Sequence, residues 1–254
     1  MAAPGIDLTG QHAFITGASS GLGAHFAKVL SSAGATVGLA ARRADKLAEV
    51  AATLDGPAHV IEMDVTAPDS IAAGLDAYLH SAGQLPDILI NNAGIADPAG
   101  FLQADREKTQ AVFATNQMAV MDVTQDLCRR WVANGQGGNV IHISSITGLR
   151  AVGGAAAYAA SKAAVAHLTK IQALELARHQ IRVNAIAPGY FATEINEDFL
   201  ETDAGQALIK RIPMRRCGTR DDLNGALLLL ASGMSAYMTG TVIPVDGGHL
   251  CSSL

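Results

Sequence analysis

The sequence predicts an α/β fold in which a parallel sheet is covered by helices on both faces. Short apolar runs typical of buried strands alternate with segments of helical spacing from one end of the chain to the other. Hydrophobic residues make up 49% of the 254 residues and charged residues only 16%, so the chain can fill a large core. No linker interrupts this alternation, and we expect one domain over residues 1–254.

The first strand and the first helix frame a glycine-rich turn. The apolar run from His12 to Thr16 leads into TGASSGLG, which is followed by a helical pattern that ends at Gly34. Glycines let the backbone approach a pyrophosphate closely, and the N–H groups at a helix start favour negative charge. Three glycines can also form an ordinary turn, but the strand before them and the helix after them favour a dinucleotide site.

The end of the second strand bears on the choice of dinucleotide. The strand runs from Thr36 to Ala40 and continues into AARR. An acidic residue here usually binds a free ribose 2′-hydroxyl, whereas an arginine suits a 2′-phosphate. Ala41 offers no carboxylate and Arg42 offers a cation, so we expect NADP(H) rather than NAD(H). Arg43 either assists or points to solvent, and a solvated Arg42 is the alternative.

The third and fourth strands are predicted at 59–65 and 87–94, with helices at 44–54 and 68–82. Asp64 closes the third strand, where it could bind an adenine edge or cap the next helix. Asn91 and Asn92 end the fourth strand. Their amides can fix the loop by bonding neighbouring backbone, which is at least as well supported as contact with a ligand.

The second half of the chain continues the alternation. Residues 105–133 predict one long helix that contains Asn116, whose amide either bonds a backbone carbonyl across a kink or holds a water. The fifth strand, 139–144, delivers Ser145 at its end. The remaining predicted elements are a sixth strand at 181–187, a last helix at 221–232, and a terminal strand at 241–248 whose Pro244 indicates an edge position or local irregularity.

The helix predicted over 155–178 carries YAASK. Residues four apart share one helix face, so Tyr158 and Lys162 lie side by side. A close ammonium group favours the phenolate and lowers a tyrosine pKa from its ordinary value of about 10. The pair can therefore carry proton chemistry, and the alternative is a surface tyrosine stacked on a lysine stem.

Composition excludes several classes of function. The formal net charge is −5, and dense basic groups occur only at Arg42-Arg43, Arg129-Arg130 and Lys210 to Arg216, so we expect no nucleic-acid partner. No apolar stretch is long enough to cross a bilayer, and we expect a cytoplasmic protein without a membrane partner. Three scattered cysteines indicate neither a metal site nor a disulfide framework.

The motifs, in order and spacing, resemble the short-chain dehydrogenase/reductase family over nearly the whole chain. They are TGASSGLG, Asp64, NNAG (91–94), Asn116, Ser145, YAASK (158–162) and PGYFAT (188–193). The resemblance implies a doubly wound, Rossmann-type parallel sheet of seven strands, a nicotinamide cofactor, and a catalytic tetrad. The tetrad residues are Asn116, Ser145, Tyr158 and Lys162.

This resemblance implies an oxidoreductase that interconverts a ketone and a secondary alcohol. Tyr158 acts as general acid and base, Ser145 holds the carbonyl oxygen, Lys162 bonds the nicotinamide ribose, and Asn116 anchors a water. The implied cofactor-binding residues are Tyr158 and Lys162 together with Gly17, Ser19, Ser20, Gly21, Leu22, Gly23, Arg42, Arg43, Asp64, Val65, Asn92, Ala93, Gly94, Pro188, Gly189 and Thr193.

Three alternatives stay open. One is an NAD-dependent alcohol dehydrogenase of the same family, one is a non-catalytic dinucleotide-binding protein, and one is epimerisation or dehydration through a transient ketone. Low charge and the long helices 105–133 and 155–178 favour a homo-oligomer, and a tetramer is usual in the family.

The substrate side is less clearly marked in the sequence. Residues 194–216 show no clean period, and we expect a lid at about 194–212. The expected pocket wall, Ile146, Leu149, Tyr190 and Phe191, is apolar or aromatic and favours a hydrophobic ketone over a free sugar. Arg150 and Arg211 could bind an anion.

Overall fold

The computed structural model describes residues 6–191 and 201–251. Its seven strands form one sheet in the order β3-β2-β1-β4-β5-β6-β7, and every neighbouring pair is parallel. The predicted doubly wound α/β fold is confirmed. The strands are β1 (His12–Thr16), β2 (Thr36–Ala41), β3 (Ala58–Glu62), β4 (Ile88–Asn91), β5 (Gly138–Ile143), β6 (Ile181–Pro188) and β7 (Val242–Val245).

Helices cover both faces of the sheet. One hydrophobic cluster joins the sheet to α1, α2 and α8, and a second joins it to α3, α5 and α6. The helix α4 packs on α6. The bounds are α1 (Gly21–Ser32), α2 (Ala44–Ala51), α3 (Pro68–Ala82), α4 (Arg106–Phe113), α5 (Ala119–Ala133), α6 (Ala156–Leu176), α7 (Asp203–Arg211) and α8 (Asn224–Ala231).

Large side chains at helical spacing fill the two layers between sheet and helices. Phe26 and Leu30 of α1 are fully buried in the first layer, and Tyr78 of α3 and Trp131 of α5 are fully buried in the second. The Trp131 indole N–H donates to Pro86 O at 2.7 Å, so its one polar atom is satisfied inside the core. This packing holds the carboxyl ends of the strands in a fixed arrangement.

The predicted long helix at 105–133 is divided in the structure. The Asp105 side chain accepts a bond from Lys108 N at 2.9 Å and begins α4, which gives way to a π-helical turn over Ala114–Met118 before α5 begins. A π turn inserts one extra residue, and such turns occur frequently at functional sites. Periodicity does not reveal it, because the apolar positions on either side still read as helical.

The segment after β6 also differs from the prediction. Thr202 Oγ1 accepts a bond from Gly205 N at 3.1 Å and begins α7, and Lys210 and Arg211 lie in the last turn, where their charge complements the helix dipole. The expectation of irregular chain is therefore wrong for 203–211. The first part of the predicted lid, 194–200, lies outside the described residues.

The strand order places a crevice between β1 and β4. The chain first builds β1, β2 and β3 in one direction, then crosses to β4 and builds outward in the other. Ligands of open α/β sheets bind at the carboxyl ends of strands beside such a switch point. Pro244 lies on β7, the edge strand, as predicted. Within the described ranges, no helix combines the length and apolarity that a membrane span requires.

Candidate active site

The turn between β1 and α1 forms a backbone cradle. Gly17 and Gly21 have φ values of 66° and 58°, a region that side chains disfavour. A Cβ on Gly23 would lie 2.3 Å from Gly17 O and 2.6 Å from Asn92 Nδ2, so only glycine fits there. The start of α1 faces this turn. A close backbone approach at a helix N-terminus fits a pyrophosphate.

The cradle opens into a cavity of about 590 Å³, which we call the glycine-turn cavity. Twelve of the sixteen other positions expected from the resemblance line it, namely Gly17, Ser19, Ser20, Gly21, Leu22, Arg42, Arg43, Asp64, Val65, Asn92, Ala93 and Gly94. Gly23 lies beneath it. Pro188 ends β6, Gly189 packs on Asp246, and Thr193 lies outside the described residues.

Two arginines lie where the second strand reaches this cavity. The Arg43 guanidinium donates to Ser19 Oγ at 3.2 Å, which ties it to the glycine turn, so Arg43 does not simply point to solvent. Arg42 is exposed in the cavity wall beside Ala41. Hydrogen bonds from Thr66 N–H and hydroxyl hold the pKa of Asp64 below its usual range, and the charge of Arg42 adds to this.

Asp64 does not cap the following helix. Its Oδ1 accepts bonds from Thr66 N at 2.9 Å and Thr66 Oγ1 at 2.7 Å, and the residue before α3 is Ala67. The capping alternative is therefore wrong, because the carboxylate is used in a tight turn two residues earlier. This turn holds Asp64 and Val65 at the cavity wall.

The two asparagines after β4 have internal partners. Asn92 Nδ2 donates to Thr16 O at 3.0 Å and Gly17 O at 3.2 Å, which joins β4 to the glycine turn. Asn91 Nδ2 donates to Thr124 Oγ1 at 2.9 Å and lies 3.1 Å from His142 Nδ1. Both amides thus fix the edge of the sheet. This is the structural role that the sequence supports at least as well as contact with a ligand.

Asn116 lies in the π turn and bonds backbone on a neighbouring segment. Its Oδ1 accepts from Ile95 N at 2.8 Å, and its Nδ2 donates to Ile95 O at 2.9 Å and to Ser161 Oγ at 3.0 Å. Ser161 Oγ in turn donates to Tyr158 O at 2.7 Å. The backbone-bonding alternative is the one that the structure shows, and through it Asn116 connects the loop after β4 to α6.

Ser145 follows the end of β5 and faces Tyr158. Its Oγ accepts bonds from Thr147 N at 3.2 Å and from Thr147 Oγ1 at 3.0 Å. Burial raises the pKa of Tyr158, a side-chain hydrogen bond with Ser145 opposes the rise, and nearby Tyr190 adds to it. The Ser145 side chain therefore lies close enough to the phenol to influence its pKa.

The pKa of Tyr158 lies above its ordinary value and not below it as expected from the neighbouring Lys162, because burial is the largest influence. The Lys162 Nζ lies over the Tyr158 ring, 5.8 Å from the centroid, and donates to Ile143 O at 2.8 Å. Burial lowers the pKa of Lys162 to about 8. Desolvation is a property of the packed site that residue spacing does not report, and here it dominates both groups.

The tetrad reaches the glycine-turn cavity through Gly94. A Cβ on Gly94 would lie 3.3 Å from Asn116 Oδ1 and 3.4 Å from Lys162 Nζ. The Asn116, Ser145, Tyr158 and Lys162 side chains are thus brought together at the carboxyl edge of β4 and β5, as the motif pattern predicts. Within the described residues, no cluster of histidine, cysteine and acidic side chains is suited to a metal ion.

A second cavity, of about 900 Å³, begins next to Ser145, and we call it the basic cavity. Ile146 and Tyr190 line it as predicted, whereas Leu149 and Phe191 do not. Phe191 is only 7% exposed and packs at Gly218 instead. The cationic side chains in the wall are Arg150, Lys210, Arg211 and Arg215. These cations lie beside apolar residues such as Val152 and Leu208, so the wall is mixed.

Sequence reasoning missed Arg215 and His249 in this wall. The Tyr190 and His249 rings lie 5.5 Å apart, and the Arg150 guanidinium donates to His249 O at 3.1 Å. Burial raises the pKa of Tyr190, and the charge of Arg211 opposes the rise. The dense basic run at 210–216 is the feature of the sequence that could have indicated Arg215. Whether its side chains face the site depends on the path of α7.

Fold and site together define a class of protein, a dinucleotide-binding α/β enzyme with serine, tyrosine and lysine at the carboxyl edge of its sheet. Residues 17–249 match the family model described as enoyl-(acyl carrier protein) reductase. The chain belongs to the short-chain dehydrogenase/reductase family, as the motifs predict. It is an NAD(P)-dependent oxidoreductase of the type that acts on CH–OH groups.

Two curated relatives illustrate the similarity. The chain is 37% identical over 245 residues to gluconate 5-dehydrogenase of Gluconobacter oxydans (strain 621H), covering 95% of each chain. It is 34% identical over 250 residues to D-erythrulose reductase of Gallus gallus, covering 98% of this chain and 99% of the relative. Both names are those of oxidoreductases, in agreement with the predicted class.

Solved structures show the same fold. A short-chain type dehydrogenase/reductase from Mycobacterium marinum aligns with a TM-score of 0.90 at 41% identity, covering 97% of this chain and 98% of that one. A gluconate 5-dehydrogenase from Burkholderia cenocepacia J2315, in complex with NADP and tartrate, aligns with a TM-score of 0.90 at 33% identity and 98% coverage of each chain.

Proposed function

We propose that this chain interconverts a ketone and a secondary alcohol with NADP(H), with Tyr158 as general acid and base. The observation that carries the proposal is the position of Lys162, which lies over the Tyr158 ring and beside Gly94 in the wall of the glycine-turn cavity. Ser145 directly precedes Ile146, which lines the basic cavity. A cofactor bound in one cavity and a substrate bound in the other would meet at the tetrad. The backbone cradle at Gly17 and Gly23 fits the pyrophosphate of such a cofactor.

The chain's own residues supply the proton chemistry. When bound, the nicotinamide supplies or accepts the hydride. Negative charge develops on the carbonyl oxygen during reduction, and the Ser145 and Tyr158 hydroxyls are placed to stabilise and protonate that oxygen. The raised pKa of Tyr158 keeps the phenol protonated at neutral pH, which is the form that donates. In oxidation the Tyr158 oxygen, as phenolate, accepts the proton of the alcohol.

Lys162 and Asn116 position the tyrosine in this proposal. Lys162 holds a positive charge over the Tyr158 ring and, with its pKa near 8, can exchange a proton near neutral pH. We propose that it also bonds the nicotinamide ribose, since it lies beside Gly94 in the cofactor-side wall. Asn116 fixes the backbone on both sides and orients Tyr158 through Ser161. Anchoring of a relay water by Asn116 stays part of the proposal.

The cofactor preference rests on the strand end at Ala41. Arg42 and Arg43 line the wall of the glycine-turn cavity, and Arg43 is already tied to Ser19, so two cations face the place where a 2′-phosphate would bind. The NADP named with the Burkholderia structure is consistent with this preference. NAD(H) is the alternative.

Kinetics with both cofactors test this preference. Arg42→Ala should weaken NADPH binding by about tenfold, the loss of one charge-assisted hydrogen bond at an exposed site, and leave NADH binding nearly unchanged. Ala41→Asp should reverse the preference by repelling the phosphate. A higher kcat/KM for NADH in the unmodified enzyme would show that Arg42 is an ordinary solvated residue.

Consumption of cofactor separates the reaction classes. A panel of ketones and alcohols should change the absorbance of the reduced nicotinamide in proportion to product. Binding of NADPH with no net redox change on any substrate would favour a non-catalytic protein or a reaction that recycles its cofactor internally.

We further propose that one catalytic domain spans the chain, because strands from β1 to β7 share a single sheet.

We also propose a cytoplasmic homotetramer. Apolar side chains lie exposed on the outer faces of α5 and α6, including Val132, Ile171 and Leu174, the last 83% exposed. Such residues suit a helix-to-helix interface between copies of the chain. Light scattering that finds a monomer at micromolar concentration would contradict this assembly.

A further inference from the structure

We propose that the substrate carries an anionic group, a carboxylate or a phosphate, and that Lys210, Arg211 and Arg215 bind it in the basic cavity. This inference rests on the proposed function, because it assigns the end of the same substrate that lies away from the reacting carbonyl. It differs from the hydrophobic ketone that the sequence favours, because four cationic side chains line the cavity beside its apolar residues.

The charge of the cavity comes from separate parts of the chain. Lys210 and Arg211 lie in the last turn of α7, Arg215 lies in the turn that follows, and Arg150 lies beyond β5. No acidic residue occurs among the described residues that line the cavity. Cations from two distant segments therefore face one volume.

The basic run at 210–216 divides into two groups. Arg216 forms an ion pair with Asp222, with Nη1 and Oδ2 2.6 Å apart, and it faces a smaller neighbouring cavity. Lys210, Arg211 and Arg215 form no ion pair with a carboxylate in the described part of the chain. The charge of Arg216 is balanced by Asp222 within the folded chain, whereas Lys210, Arg211 and Arg215 are available to an external anion.

The turn after α7 is built to hold its cations at the wall. Ile212 is only 1% exposed and anchors the turn, and Arg215 N donates to Ile212 O at 2.8 Å. Arg215 has a φ of 56°, a left-handed conformation that is uncommon for a residue with a Cβ. Its Nη1 donates to Lys210 O, which draws the guanidinium back toward the end of α7.

The anion would lie within reach of the reacting centre. Ile146, directly after Ser145, and Tyr190, which influences the pKa of Tyr158, both line the basic cavity. A volume of about 900 Å³ accommodates a chain of several carbons between the hydroxyl pair and the cations. Arginine side chains bind carboxylates and phosphates through paired, charge-assisted bonds, and lysine adds a point charge.

Matched substrate pairs test the inference. We would compare 5-keto-D-gluconate with neutral L-sorbose, levulinate with its methyl ester, and D-fructose 6-phosphate with D-fructose, all with saturating NADPH. We expect kcat/KM to favour the anionic member of at least one pair by about tenfold or more. The first two pairs report on a carboxylate and the third on a phosphate.

Charge-removing variants then assign the effect to residues. Arg211→Met and Lys210→Met should raise KM for the preferred anion by about tenfold and about threefold, with kcat little changed and the neutral partner unaffected. The control is Lys28→Met, which removes one exposed charge on α1 outside both cavities. The Kd for NADPH should be the same in all four proteins, because Lys210 and Arg211 lie outside the glycine-turn cavity.

The outcomes separate this inference from the proposed function. Turnover of neutral ketones at least as fast as their anionic partners, with no effect of either variant, would leave the oxidoreductase intact and overturn the anion site. Weakened NADPH binding in the variants would overturn it too, since the cations would then serve the cofactor. If neither member of any pair turns over, binding of the same anions is measured by the quenching of NADPH fluorescence. No binding at millimolar concentration would contradict the anion site.

Discussion

The glycine-turn cavity and the basic cavity each include a neighbour of the tetrad, Gly94 in the first and Ile146 in the second, but their walls are made differently. The first is formed largely by backbone and small side chains at the carboxyl ends of β1 to β4. The second is formed largely by long side chains from three separate segments, at 146–153, 190 and 208–215, with the turn after β7. A backbone wall accepts one shape of ligand, whereas a wall of side chains can be altered one residue at a time.

This difference agrees with the division of labour that we propose. Gly17, Gly23 and Asn92 interlock so closely that an added methyl group has no space. Lys210 and Arg211, by contrast, are exposed on a helix end, where a substitution meets little resistance. The cofactor side should therefore tolerate almost no change, and the substrate side should tolerate change at a cost in specificity.

The largest expected effect comes from adding a Cβ to the backbone wall of the glycine-turn cavity. Gly23→Ala places a methyl group against Gly17 O, so the turn must open. We expect the free energy of unfolding to fall by about 2–3 kcal/mol and NADPH affinity to fall at least about tenfold. Urea unfolding without cofactor and a fluorescence titration with NADPH measure the two effects separately.

Gly225→Ala is the matched control for this variant. Gly225 lies in α8, and a Cβ there would meet no atom within 4 Å. Alanine in place of this helical glycine should stabilise the protein by about 0.5–1 kcal/mol and leave NADPH binding unchanged. Equal effects of the two substitutions would contradict the claim that the cradle depends on its glycines.

A smaller effect concerns the buried polar network of Asn91, His142 and Gln172, which lies outside the walls of both cavities. His142 is fully buried, lies 2.7 Å from Gln172 Oε1 through Nε2, and contacts Asn91 on the next strand. Burial lowers its pKa to about 4, opposed in part by the bond with Gln172. Between pH 6.5 and 4 the unfolded chain binds a proton at this histidine that the folded chain does not, so stability falls as the pH falls.

We expect His142 to contribute about 2 kcal/mol of the stability lost between pH 7 and pH 5. Urea unfolding at the two pH values should show a smaller loss in His142→Gln than in the unmodified protein. His80→Gln, at an exposed position of α3, is the control and should leave the loss unchanged. The same loss in His142→Gln would assign the pH dependence elsewhere, for instance to His12 or His59, whose pKa values burial also lowers.

Local patterns were sufficient to predict much of the fold. The apolar runs ending at Thr16 and Ser144 mark strands, α3 lies at the predicted 68–82, and YAASK lies on the predicted helix. These features depend on residues close in sequence. The tetrad was expected from the resemblance of the motifs to a family, and the catalytic roles of its members stay a prediction.

The basic cavity and the protonation of the site could not be predicted in this way. Arg150 and Arg211 were named as possible anion ligands, but Arg215 and His249 line the same volume through the path of the chain, which no local spacing encodes. The pKa of Tyr158 depends on how completely packing removes water, which outweighs the lysine beside it in the sequence. The π turn at Asn116 is likewise held by contacts with Ile95, remote in sequence.

Single-turnover kinetics of Tyr158→Phe test the central claim most directly. The substitution removes the phenol oxygen and leaves the ring between Lys162 and the cavities. With NADPH and a ketone substrate, we expect hydride transfer at least about a hundredfold slower, the usual contribution of a positioned acid, with NADPH bound at an unchanged Kd. Unmodified rates in Tyr158→Phe would show that the Tyr158 phenol is not the acid of the reaction.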